Sequence, residues 1–341
     1  MTRAFKVAVV GASGLVGETL IRVLEERDFA VAELFLLASE RSLGRKLRFK
    51  NADVSVDDLA TFDFRRAEIA FFSAGAAVSR EYAPRASAAG CIVIDNTAEF
   101  RYEEDIPLVV PEVNPEQIAQ YTNRGIIANP NCSTIQMVVA LKPIYDVAGI
   151  ERINVATYQA VSGAGRSAVE ELAVQSAALL GGGGPVEAQV IPKQIAFNCV
   201  PQIDVFQENG YTREEMKMLW ETQKIMGDPR IRVNATAVRV PVFFGHSEAV
   251  HLETRSKITA QQARAVLAKA PGIKVMDEHE PGGYPTAATE AANRDTVYVG
   301  RIREDISIDR GLNLWLVADN VRKGAATNSI QIAEILVREH I

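Results

Sequence analysis

A chain of 341 residues is long enough for two domains with substantial cores, and its apolar share of 48% is that of an ordinary globular protein. A net charge of −6, with no Lys/Arg run interleaved with aromatics, argues against nucleic acid as a partner, and no apolar run approaches the ~20 residues of a membrane span. Three cysteines make a poor disulfide framework, and neither they nor the four histidines are spaced like a zinc site, so we expect free thiols, no metal and a cytoplasmic chain without a signal peptide.

Phe5 to Val10 reads as a short apolar strand. It runs into Gly11-Ala12-Ser13-Gly14-Leu15-Val16-Gly17, and a helix follows with Leu15, Val16, Thr19, Leu20, Val23 and Leu24 on one stripe. Strand, glycine turn and helix are the context of a dinucleotide fingerprint, in which the glycines let the backbone approach a pyrophosphate at the helix start. A plain tight turn would leave the same trace. Leu34 to Ala38 reads as the second strand, followed by Ser39-Glu40-Arg41 and then by Arg45 and Lys46. An enzyme that takes NAD usually ends this strand with an acid for the ribose hydroxyls. A hydroxyl and several cations suit a 2′-phosphate instead, so NADP is the expected cofactor, with Glu40 keeping NAD open.

Two further apolar strands, Glu68 to Gly75 and Gly90 to Thr97, flank a helix over Tyr82 to Ala89. This is the βαβ rhythm of a doubly wound parallel sheet. Ligands bind at the carboxyl ends of such strands, which makes Ser73 and Asn96-Thr97 candidates for the cofactor cleft. Cys91 reads as core. Arg101, just beyond, is a candidate anion binder.

Gly125 to Ala128 reads as a buried strand, and Ser133 to Val147 as a helix that Pro143 would kink or shorten. Asn129, Asn131 and Ser133 are good cap residues. Cys132 therefore sits at a helix start, where the dipole lowers a thiol's pKa and favours the attacking thiolate.

After Cys132 the strands alternate more and helices are fewer: Ile153 to Ala160, Arg232 to Phe244, Ala249 to Ile258, Thr296 to Ile302 and Leu312 to Ala318. That predicts an α+β second domain with a largely antiparallel sheet. The run Gly181 to Gly184 before Pro185 reads as a loop, and Asn320 to Val337 as a helix packing on the first domain, with Asn320 toward its cleft. Domains are expected at 1–131 plus 320–341 and at 132–319.

Four elements carry candidate chemistry. Tyr158 to Arg166 ends a strand in a glycine-rich turn, where Gln159 could orient an acyl group and the Ser162-Gly163 backbone could approach a nicotinamide. Glu214 and Lys217 share a helix face. Arg239 lies in an apolar strand, where a substrate carboxylate would be a bidentate partner. His246 follows a glycine, reads as an exposed imidazole and, with a pKa near 6.5, could exchange a proton at neutral pH. His251 ranks below it.

These runs resemble bacterial aspartate-β-semialdehyde dehydrogenases over nearly the whole chain: GASGLVG, FFSAG, DNTAEFR, VPEVN, NPNCSTIQ, YQAVSGAG, EEMK, RVPVFFGHSEAV and DNVRKGAA. The resemblance implies a Rossmann-type dinucleotide-binding domain and a catalytic and dimerisation domain. It implies Cys132 as nucleophile, His246 as acid/base and Gln159 orienting a thioester. It further implies Arg239 on the substrate carboxylate, Glu214 rather than Glu215 on its amine, Arg101 and Lys217 on phosphate, and Asn131 and Asn320 near the ligands. The implied reaction is NADPH-dependent reductive dephosphorylation of L-aspartyl 4-phosphate to L-aspartate 4-semialdehyde, or its reverse with inorganic phosphate, in a homodimer. That step would supply lysine, threonine, methionine and diaminopimelate. Competing readings are a related acyl-phosphate reductase of the N-acetylglutamyl type and a non-catalytic nucleotide-binding paralogue.

Overall fold

The computed structural model describes residues 3–184 and 186–341; Met1, Thr2 and Pro185, the last of them in the expected glycine-run loop, lie outside the described residues. The chain divides into two compact units, 1–131 with 325–341, and 132–324.

The first unit is built on β1 (Phe5–Val10), α1 (Leu15–Glu26), β2 (Val31–Ala38), β3 (Lys46–Phe49), β4 (Ala52–Asp58), β5 (Ile69–Phe72), α2 (Ala76–Ala88), β6 (Ile92–Asp95) and β7 (Ile126–Ala128). Its seven-stranded sheet has the order β3-β4-β2-β1-β5-β6-β7. β3 pairs antiparallel with β4, and the other pairings are parallel. The central strands are apolar along their buried stretches, as burial on both faces requires: Val7 to Val10 and Ile69 to Phe72 are fully buried. Two strands went unread in the sequence. β3 and β4 lie at the sheet edge and carry Lys46, Arg48, Asp53, Asp57 and Asp58, charges that keep an edge from pairing with another chain and also hide the strand pattern.

The second unit starts with α3 (Cys132–Ala148), β8 (Ile150–Gln159), α4 (Arg166–Leu180), α5 (Arg213–Met226) and β9 (Arg232–Arg239). It continues with β10 (His246–Thr254), α6 (Ala260–Leu267), β11 (Ile273–Val275), β12 (Val297–Glu304) and β13 (Gly311–Ala318). The sheet order is β11-β12-β13-β10-β8-β9. β10 lies between β8 and β13, antiparallel to both, while β8–β9 and β11–β12 are parallel. Helix α3 runs for 17 residues straight through Pro143, so the expected shortening does not occur. It packs against α5, α6 and the sheet.

The last helix, α7 (Thr327–Glu339), returns to the first unit, where Ile330, Ala333 and Leu336 join Val9, Leu20 and Leu24 in one core. A π-helical turn over Arg322–Ala326 precedes it. Asn320 belongs to the second unit, not to the first as the sequence suggested, because its side chain is bonded to Ser162 and Gly245. No helix among the described residues is long and apolar enough to cross a membrane.

Candidate active site

In the first unit the glycine turn is under tight steric control. Gly11 has φ +86°, and a β-carbon at Gly17 would meet the Gly11 carbonyl oxygen at 2.2 Å. The helix start at Gly14 has no side-chain cap, so the first-turn N–H groups stay available for an anion. Ser13 Oγ lies 2.9 Å from Ser42 Oγ, which brings the glycine turn beside the loop after β2. Ser39, Glu40 and Arg41 are exposed in that loop. Arg45 is paired with Glu18 at 2.7 Å, whereas Arg41 makes no ion pair among the described residues. Ser73 donates to the Val10 carbonyl at 3.1 Å, at the carboxyl end of β1. These features fit a dinucleotide-binding turn. Arg101 is buried and donates from Nη2 to the Asn96 carbonyl at 2.8 Å, and Asn131, also buried, closes the unit.

The second unit gathers Cys132, Gln159, Ser162, Gly163, Glu214, Lys217, Arg239, His246 and Asn320. Cys132 opens α3, and His246 opens β10. Cys132 Sγ lies 3.3 Å from His246 Nε2. His246 is fully buried, contrary to the exposed position expected after Gly245, because β10 is a central strand whose even-numbered residues face α3. His251, an odd number of residues on, is exposed on the opposite face beside Asn313.

The imidazole's chemistry differs from the expectation as well. Burial, reinforced by the Arg239 cation, lowers the ring's pKa from 6.5 to about 3, although Glu214 pulls the other way. The Ala160 N–H donates to Nδ1 at 3.0 Å. A neutral ring accepting there carries its proton on Nε2, toward Cys132. In this arrangement the Nε2 proton of a neutral His246 points toward the Cys132 sulfur.

Arg239 is buried, and its Nη1 donates to the Ala160 carbonyl at 2.7 Å. Burial lowers its pKa against the pull of Glu214 and Cys132. Gly163 packs against a guanidinium and an imidazole: a β-carbon there would meet Arg239 Nη1 at 2.8 Å and the His246 ring at 3.3 Å. Gln159 accepts from Thr157 Oγ1 at 3.0 Å and donates to Glu214 Oε1 at 3.1 Å. Lys217 Nζ bonds Glu214 Oε2 at 2.9 Å and Asp204 Oδ2 at 2.8 Å. Burial would lower the Lys217 ammonium, but Glu214 and Asp204 outweigh it and its pKa is raised. Asn320 Oδ1 accepts from the Gly245 N–H at 2.9 Å, and Ser162 shares hydrogen bonds with the same side chain.

A capping box engages Glu215. Glu215 receives the Thr212 N–H at 2.7 Å and the Ala237 N–H at 2.9 Å, which leaves Glu214 facing Gln159. The T-x-x-E spacing at Thr212 carried this signal in the sequence. Two neighbours went unread: Asp204, and Gly324, where a β-carbon would meet Cys132 Cβ at 2.8 Å. The other thiols have different surroundings. Burial, with the Glu68 charge, pushes Cys91 up to about 12, and Cys199 is exposed. Among the described residues no group of His, Cys, Asp and Glu is placed to hold a metal ion.

The two units match two family models in turn. Residues 6–121 match the semialdehyde dehydrogenase NAD binding domain, and residues 141–323 the semialdehyde dehydrogenase dimerisation domain. An aspartate-semialdehyde dehydrogenase of Legionella pneumophila is 62% identical over 341 residues, covering 100% of this chain and 98% of that protein. A crystal structure of aspartate semialdehyde dehydrogenase II from Vibrio cholerae, complexed with ASA, superposes with a TM-score of 0.98 at 59% identity and full coverage of both chains. Another, from Candida albicans with NADP, has a TM-score of 0.76 at 27% identity and covers 98% of each chain. The chain belongs to the aspartate-semialdehyde dehydrogenase family.

The buried imidazole sets a pH dependence of stability. The unfolded chain takes a proton near 6.5 and the folded ring only at about 3, so between those values the unfolded state binds more protons. The contribution is complete above about 6.5 and falls by up to about 1.4 kcal/mol per pH unit as pH drops toward 3. In urea unfolding, the wild type is expected to lose about 2 kcal/mol more than His246→Gln between pH 7 and pH 5. Parallel curves for the two proteins would contradict a neutral buried ring.

Proposed function

We propose that the chain catalyses the phosphate-dependent, NADP-linked interconversion of L-aspartate 4-semialdehyde and L-aspartyl 4-phosphate through a thioester on Cys132. Aspartate-semialdehyde dehydrogenase activity follows from the full-length family match; the cofactor, the intermediate and the residue roles are our reading. The observation that carries it is the 3.3 Å approach of Cys132 Sγ to His246 Nε2 at the start of a helix.

The Nε2–H of His246 stabilises the Cys132 thiolate and then the oxyanion that forms when sulfur bonds to the substrate carbonyl carbon. Collapse of that oxyanion leaves the thioester in one direction and re-forms the thiolate in the other, with Nε2–H held throughout. The nicotinamide, when bound, supplies the hydride exchange. Attack of a hydrogen phosphate oxygen on the thioester carbonyl breaks the C–S bond, returns the thiolate and releases the phosphate proton to solvent. Gln159 orients the acyl oxygen. Arg239 offers its fork to the substrate carboxylate, and Glu214 its carboxylate to the substrate amine. Lys217 and Arg101 are the phosphate-binding candidates, Asn131 lies beside the nucleophile in sequence, and Asn320 and Ser162 steady the turn that carries Gly163.

The exposed Arg41, with Ser39 before it, supports NADP over NAD, and the Candida relative with NADP agrees. The dimerisation-domain match supports a homodimer, and the cytosolic setting of amino-acid synthesis suits free thiols. The N-acetylglutamyl type of reductase has no free substrate amine for Glu214 to meet. A non-catalytic paralogue would have no use for the thiol–imidazole pair.

Incubation with aspartate semialdehyde and NADP⁺ but no phosphate should leave an acyl mass on Cys132, released by phosphate. Cys132→Ser should turn over at less than a few per cent of the wild-type rate, since an alkoxide is far scarcer than a thiolate near neutral pH. Unchanged turnover in that variant ends the thioester reading.

Arg41→Ala should raise the KM for NADP roughly tenfold and leave that for NAD nearly unchanged, the loss of about one charge-assisted contact. Equal effects on both cofactors would place the 2′-phosphate elsewhere.

Binding and chemistry separate at two further positions. Arg239→Lys keeps the charge, loses the planar fork and should act mainly on substrate KM. His246→Asn should lower kcat by roughly 10²–10³-fold, the usual worth of an oxyanion donor, with little change in KM. A loss confined to KM in His246→Asn would rule out the donor role.

A further inference from the structure

Beneath the thiol–imidazole pair lies a second polar pair that the proposed reaction leaves unused. Gln136 follows Cys132 by four residues on α3, and Glu248 follows His246 by two on β10. Residues four apart on a helix share a face, and so do residues two apart on a strand. The two steps also match in length, about 6 Å along a helix and about 6.6 Å along a strand. Gln136 and Glu248 therefore meet one layer deeper than Cys132 and His246. Both are fully buried.

The proton accounting of this layer is incomplete if Glu248 is charged. Among the described residues neither carboxyl oxygen of Glu248 meets a partner in good hydrogen-bond geometry, and neither does Gln136 Oε1, although the Gln136 amide lies close enough to act on the carboxyl. The Gln136 amide is the polar group beside the carboxyl, and its Nε2 donates to the His246 carbonyl at 3.4 Å. The cross-strand neighbours of Glu248 bring no cation: Leu316 is apolar, and the Thr157 hydroxyl is committed to Gln159. A carboxylate would thus be a buried charge without a counter-ion, with only the neutral Gln136 amide to act on it, an arrangement of high cost. One proton on Glu248 removes the charge and creates the donor that Gln136 Oε1 lacks. Burial itself pushes the carboxyl far above the usual carboxylate range.

We propose that Glu248 is a positioning residue, a neutral carboxylic acid whose O–H donates to the Gln136 side-chain oxygen, so that the Gln136 amide is held on the His246 carbonyl and the catalytic pair rests on this second pair. The inference rests on the catalytic reading of Cys132 and His246. It ties the helix that carries the nucleophile to the strand that carries the imidazole, through a contact that touches no substrate.

Two variants and one spectrum test it on the full-length enzyme. Glu248→Leu keeps the volume and loses the polar contact; it should lower kcat at least tenfold with KM within about twofold, and slow alkylation of Cys132 by iodoacetamide to a similar degree. Glu248→Gln keeps a donor and cannot ionise; it should restore kcat to within about twofold of wild type across the pH profile. Infrared difference spectra at neutral pH should show a protonated-carboxyl stretch in wild type that is missing in Glu248→Gln. Full activity in Glu248→Leu overturns the proposal, as does equal loss in both variants, or a wild-type spectrum without the band. The infrared signal is independent of folding defects in the leucine variant. It is also independent of turnover, so it separates failure of this inference from failure of the catalytic reading, which Cys132→Ser tests.

Discussion

One peptide unit, that of Ala160 at the end of β8, governs the site of the second unit. Its N–H donates to His246 Nδ1 and its carbonyl accepts from Arg239 Nη1. The backbone thereby fixes both the tautomer of the imidazole and the placement of the guanidinium. Neither contact can be traded for water, because both side chains are buried. Gly163, three residues on, completes the constraint by offering no β-carbon where the guanidinium and the imidazole lie. Preorganisation of this kind costs nothing at the moment of reaction, which is where electrostatic catalysis gains most.

The remaining charges are arranged in a chain that starts from the same strand. Gln159 passes from Thr157 to Glu214, Glu214 to Lys217, and Lys217 to Asp204. Two cations, Arg239 and Lys217, face two carboxylates, Glu214 and Asp204, while the imidazole between them stays neutral. The fold achieves this by placing the histidine at the first residue of a central strand, where the full cost of desolvating an imidazolium applies.

Much of this was legible in the amino-acid sequence, and the exceptions have physical reasons. The glycine turn after β1 was readable because only glycine tolerates its backbone and packing, and Cys132 because it falls between a buried strand and an apolar helix. The βαβ rhythm was clear where strands are buried on both faces. It failed at β3 and β4, whose charged edge residues erase the alternation. His246 was found but misjudged: a histidine after a glycine reads as a loop residue until the strand order puts β10 between β8 and β13. Glu248 could not be read at all, since a charged residue two positions along a strand normally signals a solvent face. Thr212 and Glu215 did carry a readable capping signal that assigns the neighbouring Glu214 to the site.

Gly324 has a bearing on how this site can change over evolutionary time. The backbone at the end of the second unit passes so close to the nucleophile that even a methyl group at 324 would press on Cys132 Cβ. A side chain at 324 would therefore have to push aside the residue that opens α3, and with it the spacing of sulfur from the imidazole. The absence of an atom at 324 is in this sense part of the geometry of position 132.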